Sequence, residues 1–213
     1  MLYKTEARST DENLSTLERI HKAAKTEFLK KGFRCASLRS IVKSLGMTTG
    51  AFYGYYKCKE ELFEALVGEH YAYFINCFKK AQTDFAGLPH ARQPEVMGDI
   101  SGRCMSELLH YAYRHLEEFK LILCCSEGTA FSGLLDEMVE IETAATHEYQ
   151  KVLDELGRPS PSIDPQLEHI LITGMFRTFF ELVIHEMPLE DAENYVREMR
   201  LFYTAGWMKI MGQ

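Results

Sequence analysis

Apolar side chains recur along this chain at intervals of three and four, the spacing that lines one face of an α-helix. The first such run is Leu17, Ile20, Ala24 and Phe28. It opens on Ser15-Thr16-Leu17-Glu18, a hydroxyl at the N-cap with a carboxylate three residues on, and Gly32 after Lys31 supplies its stop. A second, short helix is predicted from an N-cap at Ser37 through Leu38, Ile41, Val42 and Leu45, closed by Gly46. A third begins at Thr48 and carries Phe52, Tyr53, Tyr55 and Tyr56. Two short helices joined through Gly46 and Met47 make a helix-turn-helix pattern, although an ordinary αα-hairpin shares that spacing.

From Lys59 a longer periodic stretch (Leu62, Phe63, Leu66, Tyr73, Phe74, Cys77, Phe78) runs to about Phe85. At 1.5 Å per residue it reaches about 40 Å, enough to leave one domain and enter another. Gly87, Pro89 and Pro94 mark a loop, and further helices are predicted over 95–117, 119–126, 132–156, 164–186 and 189–211. Breaks fall at Gly128, at Gly157-Arg158-Pro159-Ser160-Pro161 and at Pro188. With no strand-like alternation, repeat or low-complexity tract, the pattern predicts an all-α chain of about nine helices. Its domains are expected at 1–60 and 61–213.

Charge changes this picture, because its distribution is uneven. Residues 1–60 hold 12 Lys and Arg against 6 Asp and Glu, whereas residues 61–213 hold 12 against 25. A basic module on an acidic body suggests that the first segment meets a polyanion and the second does not. The polar N-terminus (Lys4, Glu6, Arg8, Asp11, Glu12) carries no secretory apolar core, and no run approaches the roughly 20 apolar residues of a membrane span. Six cysteines without paired-ligand spacing read as reduced thiols, so a cytoplasmic protein away from membranes is expected.

The stretch from Leu17 to Phe63 resembles the N-terminal domain of the TetR family of transcriptional regulators. The residues that carry the likeness are Ile20, Ala23-Ala24, Phe28, Lys31-Gly32-Phe33, Ser37-Leu38-Arg39, Ile41, Leu45-Gly46-Met47, Thr49-Gly50-Ala51-Phe52-Tyr53, Tyr55-Tyr56 and Lys59-Glu60-Glu61-Leu62-Phe63. The resemblance implies a three-helix DNA-binding head, followed by a helical C-terminal domain that binds an effector and dimerises through its last two helices. It further implies a homodimeric regulator, by family habit a repressor, on double-stranded DNA at a palindromic operator.

Elementary chemistry agrees with that expectation. A recognition helix in the major groove offers its N-terminal residues to base edges. Thr48, Thr49, Gly50 and Ala51 are small enough for close approach, and the Thr hydroxyls and methyls suit base edges and thymine methyls. Tyr53 and Tyr55 can reach phosphates, as can Ser37 and Arg39 at the start of the second helix and Lys57 and Lys59 at the start of the fourth. Each of these also has a plain structural reading, Ser37 as a cap and the lysines as solvated charges. Where the family has Ser or Asn, this chain has Cys58, a weaker N-cap whose thiol is a candidate for oxidation or simply a passive substitute for serine.

The C-terminal half carries less chemistry. Helix 164–186 is apolar around nearly its whole circumference and helix 189–211 broadly so. One domain cannot bury both on all sides, so a homodimer formed by these two helices from each chain is expected. Phe78, Met105, Cys125, Phe131, Tyr149, Met175, Phe179 and Glu181 are the candidate ligand-binding residues. Arg177, Glu181 and His185 form one polar stripe, a pocket anchor or an ordinary ion pair. Glu181, His185, His147, Cys124 and Cys125 are metal-type donors whose spacing does not make them converge, so neither metal nor cofactor is expected. None of GxSxG, HExxH, GxxxxGK or GxGxxG is present, so a regulator is favoured over an enzyme or a ligand-independent nucleoid-type protein.

Overall fold

The computed structural model describes residues 14–213. The polar N-terminal residues Lys4, Glu6, Arg8, Asp11 and Glu12, on which the expectation of no secretory segment rests, lie outside the described residues. Nine α-helices and no strand occur among those described: α1 (Thr16–Cys35), α2 (Leu38–Ser44), α3 (Thr49–Tyr53), α4 (Lys59–Ala86), α5 (Gln93–Arg114), α6 (Leu116–Lys120), α7 (Leu134–Glu155), α8 (Pro165–Ile184) and α9 (Leu189–Ile210). A 3₁₀ turn at His90–Arg92 escapes the periodicity, being too short to show one, and the helix predicted over 119–126 is the end of α6 followed by a π turn at Leu121–Cys125. No described helix is long and apolar enough to cross a membrane.

The chain gathers into two compact units. The first comprises the described residues up to Glu69 together with Glu117–Ser132; the second comprises His70–Leu116 and Gly133–Gln213. The first unit therefore takes in more than residues 1–60, because α6 and the π turn pack on α1. Lys25 of α1 bonds both Glu117 and Glu118, Arg34 pairs with Glu127 at 2.6 Å, and Phe131 lies against Phe63 with ring centroids 6.2 Å apart.

Local signals set most of the head. The predicted capping box is present: Ser15 Oγ accepts the Glu18 amide at 3.2 Å, and the Glu18 carboxylate accepts the Ser15 amide at 2.7 Å. The Ser15 hydroxyl also donates to this carboxylate at 2.7 Å, and that bond, followed by the one from the Ser15 amide, holds the Glu18 carboxyl below its usual range. Gly32 leaves helical geometry at φ 70°, and the chain then adds one further turn to Cys35. Gly46, at φ 64°, turns the chain from α2 toward α3, a backbone conformation that a side chain would strain. Ile20, Ala24, Phe28, Ile41, Phe52, Leu62 and Phe63 are essentially sealed from water, with Phe28, Phe33 and Phe63 meeting at centroid separations of 5.1–5.9 Å. Truncating one such ring to Ala removes about 3–5 kcal/mol in a packed core.

Two charged side chains fix how these helices join. The carboxylate of Glu27 on α1 accepts from Lys31 Nζ at 2.7 Å, from the Ser37 amide at 3.1 Å and from Ser40 Oγ at 3.1 Å, which lowers its pKa. Lys59, at the start of α4, donates to the carbonyls of Phe33 (2.6 Å), Ala36 (3.2 Å) and Arg34 (3.3 Å), and its ammonium sits 4.4 Å from the Phe33 ring centroid. It thus caps the end of α1 from another helix.

In the second unit α7 packs along α8 and α9 along α5. Phe74, Leu108, Leu109, Met138, Ile172, Phe176 and Phe179 are fully buried. Tyr113 of α5 donates to the carbonyls of Leu182 (3.0 Å) and Met187 (2.7 Å), tying α5 to the end of α8. Tyr71 and Lys79 of α4 both bond Glu137 of α7 at 2.8 Å.

Removing the Lys59 ammonium leaves three α1 carbonyls without their charged donor. Lys59→Ala is expected to lower unfolding free energy in urea by about 1–3 kcal/mol. Lys57→Ala, at an exposed side chain two residues earlier, is expected to stay within about 0.5 kcal/mol.

Candidate nucleic-acid interface and ligand cavity

α3 is one and a half turns long, and its two faces differ sharply. Phe52 is fully buried and Tyr56 nearly so, its hydroxyl 2.5 Å from His21 Nε2, while burial lowers the His21 pKa. These groups anchor the helix from behind. On the other face Thr48, Thr49, Gly50, Ala51, Tyr53 and Tyr55 are all exposed. Thr48 Oγ1 accepts the Ala51 amide at 3.2 Å as N-cap, which leaves its hydroxyl proton free to donate outward. A Cβ built on Gly50 would meet nothing within 4 Å, so the backbone there is open to a close partner. Tyr53 and Tyr55 expose 53% and 45% of their surface, unusual for rings of this size beside a packed core.

Arg39 and Lys57 flank this edge, both exposed. Ser37 is the N-cap residue of α2, yet its side chain makes no cap bond. The Glu27 carboxylate from α1 accepts its amide, and the residue is exposed. Lys59 stands apart from the others, because its ammonium is held by the carbonyls that end α1. At Cys58 the thiol does serve as N-cap: Sγ accepts the Glu61 amide at 3.4 Å, and Glu61 Oε2 accepts the Lys57 amide at 2.6 Å.

The second unit contains a cavity of about 140 Å³ bounded by the second half of α4 and by α5, α7, α8 and α9. Of the sequence candidates, Phe78, Met105, Tyr149, Met175 and Phe179 line it. Cys125 and Phe131 belong to the first unit, where Cys125 is buried in the π turn and Phe131 rests on Phe63. Glu181 is exposed on α8 and pairs with His185 at 2.9 Å, and Arg177 is exposed on the same helix. That stripe faces outward and not into the cavity.

Sequence inspection missed the group that dominates the cavity electrostatically. Glu142 of α7 is on its wall, four residues after buried Met138 and seven before buried Tyr149, a carboxylate in the apolar register of its helix. That misplaced acid was the available signal. Gln82 Nε2 of α4 donates to it at 2.6 Å, and the residue is half-buried. Burial raises its pKa to about 7, the Gln82 bond only partly opposing this. Arg200 also lines the cavity but already has a counter-ion, Asp99, at 2.9 Å. Burial, then the neighbouring Cys77, Glu107 and Glu142, push the Cys104 thiol up to about 12, so it stays neutral. The Tyr149 hydroxyl, buried on the same wall, has no hydrogen-bond partner among the described residues.

A carboxyl whose folded pKa exceeds its unfolded one contributes stability that is full below about pH 4.5 and lost as pH rises through about 7. Glu142→Gln removes that titration. Thermal melts of variant and parent are expected to agree near pH 4.5 and to diverge toward pH 8, with the variant more stable by up to about 3 kcal/mol.

Comparison with known proteins places this geometry. Residues 20–66 match the bacterial regulatory proteins of the tetR family. A stretch of 72 residues is 35% identical to an uncharacterized HTH-type transcriptional regulator, YerO, of Bacillus subtilis (strain 168), covering 34% of this chain and 25% of that protein. The match thus spans a quarter of the relative's length. SCO3833, a member of the TetR transcriptional regulator family from Streptomyces coelicolor, shares the fold over 91% of this chain and 89% of its own, with a TM-score of 0.54 at 14% identity. The TetR-family regulator PfmR from Thermus thermophilus does so over 85% and 94%, with a TM-score of 0.50 at 16% identity. The matched segment coincides with the helix-turn-helix head, so residues 20–66 are similar to the DNA-binding domain of the tetR family of bacterial regulatory proteins, and the all-α fold beyond them is shared with solved members of that family.

Proposed function

We propose that this protein is a cytoplasmic transcriptional regulator that binds double-stranded DNA as a homodimer at a palindromic operator and leaves it when a small molecule fills the cavity of the second unit. The observation that carries the proposal is the exposed edge from Thr48 to Tyr55. Small and hydroxylated residues sit there on a helix pinned from behind by Phe52 and Tyr56, with Arg39 and Lys57 alongside. That edge has the size of a major-groove reader, and its flanking cations and hydroxyls suit phosphates. Ser37, Arg39, Tyr53, Tyr55 and Lys57 are the proposed phosphate contacts, and Thr48, Thr49, Gly50 and Ala51 the base-edge contacts. Lys59 acts behind them, holding α1 and α4 together.

Two observations support the homodimer and the effector. Ile170 of α8 and Leu201 and Phe202 of α9 expose 64%, 54% and 74% of their surface, an apolar display that isolated chains seldom leave wet. The cavity, largely apolar with a few polar groups, has the character of a small-molecule site. An effector acts only through unequal affinity for the DNA-bound and free states. α4 is continuous from Lys59 to Ala86, so one helix carries both the head's anchor and four cavity residues, Phe78, Ala81, Gln82 and Phe85. Repression is the default expected of a protein that occupies an operator in the absence of its effector.

Selection of genomic fragments by the purified protein at physiological salt, followed by footprinting, tests the proposal. A short inverted repeat with two matched half-sites is expected; uniform coating of DNA, or no enrichment, contradicts it. On that operator Lys57→Ala should weaken binding and reduce the slope of log affinity against log salt by about one unit per half-site. An unchanged slope removes Lys57 from the contact set. Phe202→Glu is expected to shift the protein from dimer toward monomer in sedimentation.

A further inference from the structure

The cavity of the second unit has one chemical peculiarity. Its walls are mostly aromatic and thioether, among them Phe78, Phe176, Met175 and Trp207, with Phe78 edge-on to Phe176 at 5.4 Å. Two ionisable groups of opposite sign also line it. Arg200 is already neutralised by Asp99, which is exposed to solvent. Glu142 is not neutralised: the hydrogen bond it receives comes from the uncharged amide of Gln82, and no cation pairs with it among the described residues. Burial raises the pKa of the Cys104 thiol and the Tyr149 hydroxyl on the same wall, so both are neutral, and Ser101, Thr146, Tyr203 and Thr204 are its further polar residues. A half-buried carboxylate among apolar walls with only an amide beside it is costly when ionised.

The cost disappears if a ligand brings the missing cation. An ammonium placed against Glu142 would convert an isolated buried charge into a hydrogen-bonded ion pair, and the surrounding ring faces also attract cations. An anionic ligand meets the opposite situation, since the Arg200 charge is already satisfied. Size narrows the class further. A core void near 140 Å³ is about what a single aromatic ring requires.

We propose that the effector of this protein is a compact aromatic amine, bound with its ring among Phe78, Phe176 and Trp207 and its ammonium on the carboxylate of Glu142. This rests on the reading of the second unit as an effector-binding domain. It goes beyond it in naming the ligand's charge and the residue that selects it.

Three probes with one skeleton test the assignment: 3-phenylpropylamine, 3-phenylpropan-1-ol and 3-phenylpropionate. They are titrated calorimetrically into the full-length protein at pH 8, where the amine is charged. The amine is expected to bind at least tenfold more tightly than the alcohol, and the carboxylate to bind more weakly than either. In Glu142→Gln, which keeps the shape and the Gln82 contact, the tenfold preference for the amine is expected to vanish while the alcohol still binds. Equal affinity for amine and alcohol in the parent overturns the assignment yet leaves a ligand-binding domain. So does a preference that survives in Glu142→Gln, or a carboxylate that binds best. If none of the three binds, the effector cavity itself fails and the assignment with it, while operator recognition, measured by footprinting, stands or falls separately.

Discussion

The carbonyls of Phe33, Arg34 and Ala36 at the end of α1 converge on the Lys59 ammonium, and the reading head is organised around that junction. A helix ends with carbonyls that its own backbone cannot satisfy, and here the donor comes from the first residue of another helix. The bond fixes the start of α4 against the end of α1, and Phe28, Phe33 and Phe63 close around it. α2 and α3 are then supported from both sides, by Glu27 reaching the start of α2 and by Phe52 and Tyr56 beneath α3. An exposed reading edge needs this rigidity, since a five-residue helix has little stability of its own.

The same division of labour separates structural charge from functional charge. Lys25, Glu27, Lys31 and Lys59 are committed to partners within the head. Arg39 and Lys57 are exposed at its edge. A net count of basic residues in the first 60 positions therefore overstates what is offered to a polyanion. The cavity shows the complementary case. The second unit is strongly acidic, but most of that charge is solvated or paired; Glu168, buried, pairs with His147, and the carboxyl on the cavity wall is Glu142. Ligand preference follows from that one desolvated group more than from the overall balance.

Where an element was legible in the sequence, the signal was local. Ser15 and Glu18 make a capping box because residues three apart meet across a helical turn, and the structure contains both of its bonds. Gly46 turns the chain because no side chain opposes a positive φ there. The ends of α4, α5, α7, α8 and α9 fall within a few residues of the positions set by apolar periodicity and by Gly and Pro. Ser37 was legible as the start of α2 but not in its bonding, because the carboxylate that accepts its amide comes from Glu27, ten residues away on α1.

The sequence by itself thus determined an all-α chain, a helix-turn-helix head and the small, exposed composition of its reading edge, since these follow from residue spacing within one or two turns. Only the tertiary structure decided what each ionisable side chain does. It drew Lys59 into the head's interior contacts, moved Cys125 and Phe131 into the first unit, left Glu181 on the surface and enclosed Glu142 beside Gln82. The reason is physical: the energy of a charge or a cavity depends on groups brought together from distant segments, and spacing along the chain carries no record of which of them will meet.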